Sequence, residues 1–485
     1  MLIAPSKRIG VIIAAALFSF SCNGSKKSTA SVAAKPNVIY ILADDLGYGE
    51  VGYTGQKMIQ TPELDLLAKN GMRFTDHYCG NAVCAASRAA LMTGLHPGHA
   101  YIRDNSPGYP EGQTPLPKGT ETIPKLMQRA GYTTGLIGKW GLGSINDSGS
   151  PLTQGFDHFY GFTDQVLAHN YYPEYLWSQD KKVKLNNSET EHNDYSHDLL
   201  TIDALKFIKD NKKKPFFLYL AYTIPHVDYQ VPDLAQYKDK DWPENMKIHA
   251  AMTSRMDGDI GKIKRLLETM GISQNTIIMF NSDNGAHGMF GSADFFNLTA
   301  DLRGLKRDMY EGGVRSPMIA YWPGKIKAGS VSNHISAFWD MLPTLSELTG
   351  EPVVGKTDGI SILPTLLGKA KEQKEHEYLY WELYPGKTPN QGVRFGKWKG
   401  VVADRTKGMN IELYDLTKDF REQKDEAKDY PKVVEQIRKI MLEAHTPSPF
   451  WDVTTKPFFN LKAAMEASGL KYVPKSKKDA HSNAE

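Results

Sequence analysis

Five short groups of residues carry side chains able to do chemistry, and four of them end an apolar run. Asp44-Asp45 follows the run from Asn37, Lys139 the run from Tyr132, His226 the run from Pro215, and Asp283-Asn284 the run from Thr276. The fifth group, Cys84-Ala85-Ala86-Ser87-Arg88, sets a sulfur nucleophile one helical turn before an arginine. Carboxylates and a side-chain amide offer the oxygens that a hard cation prefers. Lysine, histidine and arginine offer the donors that an anionic group needs. Asp283-Asn284-Gly285, and Asp44-Asp45 with it, also suit plain turns. A lysine and a histidine at the same sheet edge are not explained that way. Cys79 and Cys84 have a bland alternative of their own, a disulfide, the ordinary state of two exported cysteines.

The elements that must position these groups are readable from periodicity. The runs at 37–43, 132–138, 215–222 and 276–280 are continuous and apolar, which predicts strands buried on both faces. Thr61-Pro62-Glu63 predicts a helix start with Thr61 as N-cap and Pro62 in the first turn. A second helix follows Glu121 and is closed by Gly131. Strands alternating with helices give an α/β fold: a large, mostly parallel or mixed sheet sandwiched by helices. In such sheets ligands bind beyond the carboxyl ends of the strands, where the chemical groups lie. From about Lys371 the pattern changes to short alternating strands at 378–382, 392–399 and 411–414, then a helix at about 431–445. This predicts a smaller C-terminal subdomain with an antiparallel sheet and one packed helix.

The segment Cys84 to Arg88 resembles the signature of type I sulfatases, in which a cysteine followed by x-(Pro or Ala)-x-Arg is oxidised to formylglycine. Its companions strengthen the resemblance: Asp44-Asp45-Leu46-Gly47, Gly138-Lys139-Trp140, Ser282-Asp283-Asn284-Gly285, Leu302-Arg303-Gly304-Leu305-Lys306 and Tyr310-Glu311-Gly312-Gly313. The likeness is close over about 36–370 and implies the fold of the alkaline phosphatase superfamily. It also implies roles. Asp44, Asp45, Asp283 and Asn284 would ligate one calcium ion, and Cys84 would be converted to formylglycine by a separate maturation enzyme. The hydrated aldehyde would attack sulfur with one hydroxyl and use the other to expel sulfate. Arg88 would hold that side chain, while Lys139, His226 and Lys306 would bind sulfate oxygens and protonate the leaving alkoxide, His226 first and Lys306 as its alternative. Such proton transfer is worth about 10²–10⁴ in rate.

One position departs from the pattern. Many sulfatases carry a histidine two residues after the lysine of Gly-Lys-Trp, where this chain has Gly141. His169 and His287 are the candidate replacements, and with Asn170 they are candidate substrate contacts. The aromatic cluster Tyr171-Tyr172 and Tyr175-Leu176-Trp177 is a candidate sugar rim, since such rings stack on sugar faces. The resemblance implies a sulfated glycan as substrate, with galactose or N-acetylgalactosamine sulfate foremost. A formylglycine-dependent phosphonate monoester or phosphodiester hydrolase is the alternative enzyme, and a non-catalytic glycan-binding surface lipoprotein the alternative without catalysis.

Lys7 and Arg8 precede an apolar run that ends at Cys22, the pattern of an export signal of lipoprotein type. The expected division is signal peptide 1–22 with Cys22 lipidated, tether 23–35, catalytic domain 36–370, C-terminal subdomain 371–475 and mobile tail 476–485. The protein would then lie in the periplasm or at the cell surface, meeting the membrane only through its lipid. A formal charge of +3 over 485 residues gives no electrostatic case for nucleic acid.

Overall fold

A computed structural model describes residues 35–105, 113–385 and 388–448, together with Trp451, Val453 and residues 1, 2 and 4. The expected signal peptide beyond those three positions, Cys22, the tether before Lys35 and the tail after 475 lie outside the described residues. The described residues from Lys35 onward belong to one compact unit. No helix among the described residues is long and apolar enough to cross a membrane.

The first eleven strands in chain order are β1 (Asn37–Ala43), β2 (Met72–Phe74), β3 (His77–Tyr78), β4 (Thr133–Lys139), β5 (His158–Phe162), β6 (Tyr175–Ser178), β7 (Lys181–Lys184), β8 (Phe216–Ala221), β9 (Thr276–Ser282), β10 (Met318–Tyr321) and β11 (Ser330–Ser332). Ten of them form one sheet in the order β11-β2-β10-β9-β1-β8-β4-β5-β6-β7, and β3 pairs separately with β12 (Ser336–Ala337). The five neighbours β9, β1, β8, β4 and β5 run parallel. All four expected strands lie among these five, which makes the sheet mixed with a parallel centre.

Strand alternation splits the core across the two faces. Val38, Tyr40 and Leu42 of β1 join a cluster with Ala86, Ala90, Leu126 and Leu342. Ile39 and Ile41 join the opposite cluster with Leu64, Leu200, Met256 and Ile260. Helices therefore cover both faces, as a sheet with continuous apolar strands requires. Close packing of β4 on β8 depends on Gly138, because a Cβ there would lie 1.9 Å from Ala221 O.

Two local expectations are corrected. A helix does start at Pro62 (Pro62–Asn70), but Thr61 Oγ1 accepts from Gly52 N–H instead of capping it. Asp257, from the helix Glu244–Thr269, takes the Glu63 and Leu64 N–H groups at 3.0 and 2.7 Å. In the C-terminal part, residues 392–399 are not one strand. The chain turns at Gly396-Lys397, so the antiparallel sheet has four strands: β13 (Leu379–Leu383), β14 (Asn390–Phe395), β15 (Trp398–Val402) and β16 (Glu412–Asp415). Gly396 has φ 54°, the left-handed backbone that favours glycine in tight turns. The helix Pro431–Glu443 packs Ile437, Ile440 and Met441 against this sheet.

Candidate functional site

Register brings the acidic groups together. Ala43 of β1 pairs with Ser282 of β9, so Asp44 and Asp283 leave the sheet side by side. Asp283 N–H donates to Ala43 O at 3.1 Å, and Asp45 N–H donates to Asp283 Oδ1 at 3.1 Å. Asp45 has φ 64°, a left-handed conformation that Asp tolerates better than most residues. Asp44, Asp45, Asp283 and Asn284 are all buried. Asn284 donates Nδ2–H to Asp45 Oδ1 at 2.6 Å, while its Oδ1 is buried without a partner.

Cys84 begins the helix Cys84–Thr93, which is buried along its whole length. Its sulfur lies 3.5 Å from Asp44 Oδ1 and 3.9 Å from Asp45 Oδ1. Ligand atoms of Asp44, Asp45, Cys84 and His226 lie within 4.8 Å of one another. Cys79 and Cys84 are both free, and Cys79 Sγ turns to Asn81 O at 3.0 Å, so the disulfide alternative fails. Burial pushes the Cys84 thiol well up, against the pull of Lys139 and Lys306. A thiol held protonated is a poor nucleophile.

Cations answer the carboxylates. Arg88, one turn into the helix, donates Nε–H and an Nη2–H to Asp283 Oδ2 at 3.0 and 2.8 Å, and an Nη1–H to Lys139 O at 2.7 Å. Lys139, the last residue of β4, sets Nζ 2.7 Å from Asp44 Oδ2. Lys306 Nζ lies 2.7 Å from Asp45 Oδ2 and 3.1 Å from His226 Nε2. Burial would raise the carboxyls of Asp44 and Asp45, but Lys139 and Arg88 hold the first below its usual range, and His226 and Lys306 the second. Asp283 is different: burial and the neighbouring Asp44 push it up to about 6 in spite of Arg88. Carboxylates crowded in this way favour an added cation.

His226 lies on the loop leaving β8. Tyr171 Oη donates to Thr223 O at 2.6 Å and to His226 O at 2.7 Å, which pins that loop. The His226 ring donates Nδ1–H to Val227 O, which leaves Nε2 facing both Lys306 Nζ at 3.1 Å and Asp45 Oδ2 at 3.2 Å. Burial pushes its pKa down to about 4. His169 stacks on His226 with ring centroids 4.0 Å apart, and the His287 ring lies 6.1 Å from it. His287 Nδ1 is buried and unpartnered. Asn170 is exposed and uses Oδ1 locally, accepting from Tyr172 N–H. Of the expected aromatic rim, Tyr171 is fully buried and belongs to the core.

Two residues at the site escape sequence reasoning. Asn105 Oδ1 accepts the Ala85 N–H at 2.9 Å and so caps the helix that presents Cys84. Gln165 is buried and leaves Nε2 unpartnered. A Cβ added to Gly141 would meet that nitrogen at 2.9 Å, so Gln165 stands where a side chain at 141 would go. The only sequence signal for Gln165 is the vacancy itself.

The family model described as Sulfatase matches residues 36–351, and the model for the C-terminal part of N-sulphoglucosamine sulphohydrolase matches residues 305–446. The chain is 32% identical to N-acetylgalactosamine-6-sulfatase of Mus musculus over 68% of its own length and 66% of that protein. It is 33% identical to arylsulfatase A of Homo sapiens over 76% and 75% of the two chains. Among solved structures, Ps i-CgsB in complex with k-i-k-neocarrahexaose superposes with a TM-score of 0.76 at 28% identity, covering 93% of this chain and 100% of that one.

Proposed function

Because the chain belongs to the sulfatase family, we propose that it removes sulfate from a glycan, with Cys84, converted to formylglycine, as nucleophile and calcium beside it. The observation that carries this reading is the convergence of Asp44, Asp45, Cys84 and His226 within 4.8 Å. The orphaned Asn284 Oδ1 next to three crowded carboxylates fits a hard cation that binds oxygen ligands. Asp44, Asp45, Asp283 and Asn284 would hold calcium, which supplies positive charge to fix the sulfate oxygens and offset charge building on them. Formylglycine at position 84 would supply, as its hydrate, a hydroxyl nucleophile for sulfur and a second hydroxyl whose deprotonation would release sulfate.

The chain's own residues do the rest. Arg88 neutralises Asp283 and pins the Lys139 carbonyl, so the strand end is set before substrate arrives. Lys139 brings its ammonium group to Asp44 and Lys306 to Asp45, where both would meet sulfate oxygens. The leaving sugar oxygen needs a proton. Lys306 donates to His226 Nε2, so we assign Lys306 as the proton holder and His226 as its relay, the reverse of the order expected from sequence. Gln165 offers its free N–H in place of the side chain missing at Gly141.

The substrate class follows the relatives. The mouse protein's name supports a sulfated N-acetylgalactosamine unit, with galactose sulfate kept beside it as the sequence expectation. A maturation enzyme in the host would convert Cys84, and a lipid on Cys22 would hold the protein in the periplasm or at the cell surface.

Two measurements test the reading together. Mass spectrometry of the peptide across residue 84 should find the aldehyde, and sulfate should be released from a panel of sulfated galactose, N-acetylgalactosamine and glucosamine oligosaccharides. Aldehyde-bearing protein that releases sulfate from none of them overturns it.

A further inference from the structure

Arg307 follows Lys306, and its backbone is left-handed, with φ 79°. Non-glycine residues held in this region cluster at functional sites, where surrounding contacts over-determine them. Here the tethers come from both sides. Arg307 N–H donates to Ala82 O at 2.9 Å, two residues before Cys84, and Asn390 Nδ2–H donates to Arg307 O at 3.2 Å. The side chain takes no part in this. It is exposed, and among the described residues its guanidinium makes no hydrogen bond or ion pair. Arg88, Arg103, Arg303, Arg315 and Arg394 are by contrast all engaged.

Arg307 adjoins the Cys84 site through its backbone: it follows Lys306, and Ala82 O holds its N–H. Its charge acts on Asp104 and on His287. Asp104 precedes Asn105, the residue that caps the Cys84 helix. His287 keeps a buried, unpartnered Nδ1. A guanidinium presents a rigid fork that takes a carboxylate or a sulfate with two bonds. Fixing its backbone beforehand lowers the ordering cost of binding.

We propose that Arg307 binds a second anionic group, a carboxylate or a further sulfate, on the sugar that carries the scissile ester or on its neighbour. The enzyme then prefers multiply charged glycans. This inference rests on the sulfatase reading above.

The test measures sulfate release by the mature full-length protein from three matched oligosaccharides. One carries the scissile sulfate alone, one adds a uronate carboxylate, and one adds a second sulfate. Wild type is compared with R307G and R307K. Glycine adopts the same left-handed backbone without steric cost, so R307G should melt no lower than wild type. R307G should lose about 10–100-fold in kcat/KM on a doubly charged sugar, mainly through KM, and less than about 3-fold on the singly charged one. R307K should fall between, because a lysine keeps the charge and loses the fork. The arm that drops identifies carboxylate or sulfate. Losses equal across the three sugars, or none on any, overturn the inference. If wild type releases sulfate from no sugar, the sulfatase reading fails instead; if all three are turned over equally by wild type and R307G, only the role of Arg307 falls.

Discussion

Replacing Arg88 by lysine tests whether this buried guanidinium is the brace on which the site depends. The arginine makes three hydrogen bonds, two to Asp283 Oδ2 and one to Lys139 O, and its side chain is fully buried. A lysine keeps the charge but reaches about one of those partners, leaving two bonds unmade. Each is charge-assisted and worth about 1.5–3 kcal/mol, so the loss is about 3–6 kcal/mol. An unfolding entropy of about 2.1 cal/mol/K per residue over roughly 450 residues gives about 1 kcal/mol/K. The melting temperature should therefore fall by about 3–6 °C in scans at one fixed rate. Turnover should fall too, through kcat more than KM, because the Lys139 carbonyl loses its anchor. An R88K protein that melts within about 1 °C of wild type and keeps its kcat refutes the brace.

Three further outcomes are expected. Calcium at about 100 times its dissociation constant should stabilise the protein by about 2.7 kcal/mol, a rise of nearly 3 °C that chelator reverses and that Asn284→Leu abolishes; differential scanning of both proteins checks it. Asn105→Ala should cost about 1 kcal/mol by uncapping the Cys84 helix, and should lower kcat in sulfate release while leaving KM nearly unchanged. Glu382 of β13 is buried and paired with Arg103 at 2.6 Å and His445 at 2.7 Å. Burial raises its pKa, but His445 and Arg103 outweigh that and hold it below its ordinary value. A carboxylate depressed in the fold stabilises above its unfolded pKa of about 4.3 and loses that contribution as pH falls below it. Melting temperature should thus drop as pH falls below about 4.3 in wild type, with a shallower slope in Glu382→Gln.

The groups that touch chemistry are legible because they sit next to the signals that build the sheet. Asp44, Lys139 and Asp283 each stand at the end of a strand whose apolar run betrays burial on both faces, and parallel pairing carries those ends to one edge. Posture is written differently. Asn105 looks like any polar loop residue, and Gln165 like a half-buried amide, because what each does depends on a partner 20 or more positions away that no local period encodes. The same holds for Asp257, which caps a helix 193 residues earlier in the chain while Thr61, the textually obvious cap, serves Gly52. Tyr171 shows the opposite error: a tyrosine beside polar residues reads as a rim for sugar, yet its hydroxyl finds two carbonyls inside and the ring stays buried. Side-chain hydrogen bonds to distant backbone decide the cases of Asn105, Asp257 and Tyr171, and close packing against Gly141 decides that of Gln165. A local reading can therefore find the reacting groups of such a site, whereas the residues that hold them still emerge only from asking where each buried donor and acceptor is satisfied.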